Sequence, residues 1–144
     1  MKKFKIGEEE KLIDVAKFLI SNSNKDKNII SMSGDLGAGK TALSKKIASV
    51  LKVTSEITSP TFTIIKEYTT QDKTFKHLYH FDIYRIKEVS ELDNIGFFEY
   101  LYKDKSLCII EWGDKIRDLL PDEKTIDVKI ETEGNARNIE IRGI

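Results

Sequence analysis

The chain has 144 residues, and its 24 Lys and Arg are balanced by 24 Asp and Glu. That length suits one domain, 1–144, able to bury its own core. Zero net charge gives no reason to expect a broadly basic nucleic-acid face or a membrane-surface protein, and no apolar run approaches transmembrane length.

Lys2-Lys3 precede an alternating Phe4-Lys5-Ile6, so the start lacks the apolar stretch of a secretory signal and a reducing cytoplasm is expected. Phe4-Lys5-Ile6 reads as a short strand. Glu8-Glu9-Glu10 then place acids in the first turn of a helix with an apolar face of Leu12, Ile13, Val15, Ala16, Leu19 and Ile20. A polar loop, Ser21 to Lys27, ends it. Asn28 to Ser33 is a short buried strand, and Ala42, Leu43, Ile47, Ala48 and Leu51 recur at helical spacing.

Further on, Ile64, Ile65 and Tyr68 belong to one strand and Phe75, His77, Tyr79 and Phe81 to another, joined by Thr70-Gln71-Asp72-Lys73 as a hairpin. Lys87 to Asp93 and Phe97 to Tyr102 read as short helices broken at Asn94-Ile95-Gly96. Leu107 to Trp112 is an apolar strand, in which Cys108 is a small core hydrophobe and not a redox or catalytic thiol. Lys115 to Leu120 forms a brief helix stopped by Pro121. Ile126 to Ile130 and Asn138 to Ile141 alternate about a Glu133-Gly134-Asn135 turn, a second hairpin. The sum is an α/β, P-loop NTPase-like three-layer domain with a mixed, mainly parallel sheet and two antiparallel hairpins.

Gly34-Asp35-Leu36-Gly37-Ala38-Gly39-Lys40-Thr41 fits G-x-x-x-x-G-K-[ST] at every fixed position, between the strand and the helix where a phosphate loop belongs. Glycines let consecutive amides converge on a phosphate, and the helix adds its positive end. Leu36, Gly37, Ala38, Gly39, Lys40, Thr41 and Ala42 are therefore the expected nucleotide contacts. Lys40 reaches the β and γ oxygens, and the Thr41 hydroxyl ligates Mg2+. An acid at a strand's C-terminal end should complete the site; Glu111 and Asp82 both qualify. Thr61, within Ser59-Pro60-Thr61-Phe62-Thr63, offers a hydroxyl that could sense the γ-phosphate as a switch residue does.

His77 and His80 fall on opposite strand faces, against a shared metal site. Arg85 and Arg137 are cations that could approach a phosphate or a partner, although isolated arginines are mostly solvated surface groups. Two GTPase-like signals fail: Asp93-Asn94-Ile95-Gly96 follows a helix where D-x-x-G should end a strand, and Asn24-Lys25-Asp26 is followed by Lys27 where N-K-x-D needs an acid. ATP is favoured over GTP.

G-D-L-G-A-G-K-T at 34 to 41, S-P-T-F-T at 59 to 63, H-F-D-I-Y-R at 80 to 85 and I-I-E-W at 109 to 112 together resemble the TsaE (YjeE) family of bacterial ATPases across essentially the whole chain. The resemblance implies a cytoplasmic ATPase, weak alone, that acts on a complex of TsaD and TsaB proteins in making threonylcarbamoyladenosine in tRNA. It places Mg2+ on Thr41 and Glu111, a switch-like role on Thr61 and a catalytic or water-orienting role on Asp82, and matches Trp112 to the family tryptophan. Ala42, where a second hydroxyl often follows the loop, and Gly113, where proline is frequent, depart from the pattern. A P-loop small-molecule kinase, and an ATP-dependent binding module without required hydrolysis, are the alternatives.

Overall fold

The computed structural model describes residues 1–57 and 64–144. The Ser59–Thr63 segment, and with it the expectation for Thr61, lies outside the described residues.

The strands are β1 (Lys2–Ile6), β2 (Ile29–Ser33), β3 (Val53–Ile57), β4 (Ile65–Thr70), β5 (His77–Asp82), β6 (Ser106–Glu111), β7 (Thr125–Glu133) and β8 (Ala136–Arg142). Together they form one sheet in the order β1-β8-β7-β2-β6-β5-β4-β3. Its centre, β7-β2-β6-β5, is parallel, while β4 and β8 run against the other strands through the two expected hairpins and the added edges β3 and β1. The edge strand β3 is absent from the sequence reading; Val53-Thr54-Ser55-Glu56-Ile57 is a half-polar run whose pairing with β4 has no local signature.

Burial explains the central strands. Every residue of β6 is buried, as expected for a parallel strand covered on both faces. Leu107 and Ile109 face the core beneath α1 (Leu12–Ser21) and α2 (Lys40–Val50), whereas Cys108 and Ile110 face the core beneath α3 (Ser90–Asn94) and α4 (Phe97–Tyr100). Three layers result. Burial pushes the Cys108 thiol up to about 12, so it stays an inert core group.

Helix α1 buries Leu12, Val15, Ala16 and Leu19, and α2 buries Leu43 and Ile47 on the same side of the sheet. On the other face Phe81 meets Phe97 edge to face at 4.8 Å. Gly96, at φ 71, breaks the chain between α3 and α4, so Asp93-Asn94-Ile95-Gly96 is a helix junction, in line with the rejected GTPase signal. The expected helix after β6 is a tight helical stretch, Gly113–Leu119, which Trp112 enters with left-handed φ of 64. A Cβ on Gly113 would come 2.0 Å from Ser31 Oγ, which is why a side chain is excluded there.

β2, β5 and β6 end side by side, with Met32 and Asp82 both in register with Glu111. Ligand sites of open α/β sheets form at such strand ends.

Candidate functional site

From Ser33 the chain turns through Gly34, Gly37 and Gly39, all at positive φ (138, 80 and 117). Gly34 is fixed by a close approach as well, because a Cβ there would lie 2.1 Å from the Ile130 carbonyl oxygen of β7. The Ala38 amide donates to Asp35 O at 3.0 Å and its side chain is packed into the core. Gly39 caps α2 and has no side chain to accept from the first-turn amides, which leaves those donors directed at the end of the helix.

Lys40 opens α2 and is 4% exposed. Its Nζ donates to the carbonyls of Gly34 at 2.6 Å and Asp35 at 2.8 Å, and lies 3.9 Å from the Trp112 ring centroid. Burial lowers its pKa, a shift that the negative charges of Glu111, Asp114, Asp35 and Asp82 only partly oppose. Trp112 is in turn packed on Tyr84 at 4.9 Å.

Glu111, at the end of β6, is 5% exposed. Thr41 Oγ1 donates to its Oε1 at 2.9 Å, and His80 Nε2 donates to its Oε2. Burial pushes the Glu111 carboxyl upward, but the His80 and Thr41 hydrogen bonds and the Lys40 charge outweigh it, and the group is held below the ordinary carboxylate value. Asp82 ends β5, and its Oδ1 accepts from the Tyr84 amide at 3.1 Å, capping the following turn.

These groups surround a cleft of about 440 Å3. Leu36, Gly37, Gly39, Lys40, Thr41 and Ala42 line it, as do Asp82, Glu111 and Trp112. Of the nucleotide contacts expected from sequence, Ala38 alone points its side chain elsewhere, into the core. Arg85 and Arg137 both line the cleft; Arg85 is exposed, as the solvated reading expects, whereas Arg137 is half-buried and pairs with Glu9 at 3.5 Å. No local pattern marks Arg137, which the β7–β8 hairpin carries against Gly39. His80 was also missed. Its signal was the two-residue repeat of β5, which puts it on the face of Asp82.

A strand, a glycine loop and a helix with a buried lysine, faced by an acid on the neighbouring parallel strand, define a P-loop α/β domain. Among solved structures the chain is similar to the crystal structure of Bacillus subtilis YdiB, with TM-score 0.70 and 32% identity over 96% of this chain and 82% of that one. The sequence profile described as threonylcarbamoyl adenosine biosynthesis protein TsaE matches residues 6–139. Proteins named tRNA threonylcarbamoyladenosine biosynthesis protein TsaE are 39% identical in Haemophilus influenzae (78% of this chain, 68% of the relative) and 41% in Bacillus subtilis (67% and 58%). Another, in Treponema pallidum, is 36% identical over 75% of this chain and 77% of its own length. The chain belongs to the TsaE family, whose role lies in tRNA threonylcarbamoyladenosine biosynthesis. Among the described residues, no helix is long and apolar enough to cross a membrane.

Proposed function

We propose that the chain is a Mg2+-dependent ATPase that serves threonylcarbamoyladenosine synthesis by acting on a complex of TsaD and TsaB proteins. The observation that carries this reading is Glu111, a buried carboxylate that accepts from the Thr41 hydroxyl at 2.9 Å and lines one cleft with the buried Lys40. ATP hydrolysis and the two partners go beyond the family assignment and rest on the site geometry and the sequence resemblance.

The donor set fits a magnesium nucleotide. Among the described residues no group of three His, Cys, Asp or Glu is arranged to hold a metal ion by itself, and Mg2+ characteristically takes one or two protein oxygens, phosphate oxygens and waters. The Thr41 hydroxyl gives its proton to Glu111 and so keeps its lone pairs for a cation. When bound, the metal would supply charge neutralisation at the β and γ oxygens. Lys40 exchanges two loop carbonyls for phosphate oxygens. With both Glu111 oxygens already accepting, the water-orienting role falls to Asp82, on the same cleft wall. Arg85 and Arg137 add positive charge where a triphosphate would lie.

The test is ATP turnover by the purified chain with and without TsaD, TsaB and Mg2+, beside Lys40→Ala, together with threonylcarbamoyladenosine levels in tRNA from cells depleted of the protein. Mg2+-dependent turnover raised by the partners, lost in Lys40→Ala, is expected. Equal rates for wild type and variant would refute hydrolysis, and an unchanged nucleoside level would refute the pathway role. Phosphate transfer to a metabolite instead would make it a kinase.

A further inference from the structure

His80 carries no role in the reading of the sequence, yet it belongs to the same cluster as Thr41 and Glu111. In the β5–β6 register Asp82 pairs with Glu111 and His80 with Ile109, so His80 stands one step inward on the face that carries both acids. Its side chain is 16% exposed and ends on Glu111 Oε2, while Oε1 is taken by Thr41. A glutamate side chain has three rotors, and one hydrogen bond leaves its far oxygen unrestrained. Two bonds from opposite sides fix the carboxylate plane. A carboxylate only accepts, so the ring must carry its proton on Nε2.

We propose that His80 is a positioning residue for the metal end of the cleft: by holding Oε2 of Glu111 it keeps Oε1 on the Thr41 hydroxyl and so leaves the Thr41 lone pairs for a divalent cation. This rests on the magnesium-nucleotide reading above. Nothing in it requires His80 to touch nucleotide. Partners of this kind, which orient a group that serves a metal, influence metal affinity without setting ligand affinity by themselves.

The experiment uses the full chain and calorimetry. Mg2+ is titrated at fixed ADP, and ADP binding in EDTA is measured separately, for wild type, His80→Leu and His80→Gln, each checked by thermal melting. Leu removes the donor at similar bulk; Gln restores an N–H at similar reach. His80→Leu is expected to raise the Mg2+ midpoint on the order of tenfold and to leave ADP affinity in EDTA within about twofold, with His80→Gln recovering most of the loss. Should His80→Leu not fold, His80→Gln still decides: a midpoint within about threefold of wild type supports the role, and a larger displacement overturns it. A wild-type midpoint in His80→Leu, or an equal loss in EDTA, also overturns it. ADP binding by wild type that ignores Mg2+ would sink the parent reading instead, a result visible before any variant is made.

Discussion

Replacing Lys40 by Met separates the structural role of the buried ammonium from the role proposed for it at phosphate. In the free protein Nζ donates to Gly34 O and Asp35 O and sits under Trp112. Two hydrogen bonds from a charged donor contribute about 1.5–3 kcal/mol each, and the ring contact about 1–2 kcal/mol. Against this stands the desolvation of an ammonium, several kcal/mol per ion, seen here as a pKa lowered by burial. Loss and relief nearly cancel, so Lys40→Met should change stability by less than about 2 kcal/mol, or under about 8 °C in Tm for a chain of this size. Nucleotide affinity should fall on the order of 100-fold, because the variant cannot give a charged donor to phosphate.

The pH dependence adds a sign. Lys40 releases its proton more readily folded than unfolded, since its folded value lies below 10.5. Above that folded value the unfolded chain binds more protons, and stability rises with pH toward 10.5. The Met variant lacks this rise. Its stability relative to wild type is therefore highest near neutral pH and falls as pH approaches 10.5. Thermal melts across pH and ADP calorimetry measure both quantities. A melting temperature lowered by more than about 10 °C at pH 7, or ADP affinity within about threefold of wild type, would refute the reasoning.

Gly34→Ala and Gly37→Ala should differ although both glycines have positive φ. A Cβ on Gly34 meets Ile130 O at 2.1 Å, while among the described residues nothing lies within 4 Å of one on Gly37. The first should cost about 3 kcal/mol and the second about 1 kcal/mol, read from urea midpoints; equal losses would contradict the packing argument. Asp82→Asn keeps the acceptor for the Tyr84 amide, so ADP affinity should hold within about threefold while single-turnover hydrolysis drops about 100-fold. An unchanged rate would reduce Asp82 to a helix cap. Arg117 binds Asp127 through Nε at 2.8 Å and Nη2 at 3.1 Å, and also Asp122 at 2.8 Å. Partial exposure limits its value, and Arg117→Met should lower Tm by about 2–4 °C without altering ADP binding.

Features written in local spacing were legible in the residues themselves. The glycine pattern at 34 to 41 can only serve a loop between strand and helix, and the alternation in β7 and β8 predicts their hairpin. The continuous apolar run ending in Glu111 predicts a covered parallel strand, and it is buried throughout. Boundaries moved where a turn competes: the helix expected from Lys87 begins at Ser90, because the Glu91 carboxylate accepts from the Lys87 and Glu88 amides and shapes a turn before it.

Strand order, the pairing of β3 with β4, the arrival of Arg137 beside Gly39 and the close approach of the Ile130 carbonyl to Gly34 were decided only by the tertiary structure. So was the hold of His80 on Glu111, which depends on β5 and β6 being parallel neighbours in one register. The division has a physical cause: helical and strand periodicity are properties of adjacent residues, whereas register joins segments far apart in the chain through core packing that no single segment encodes.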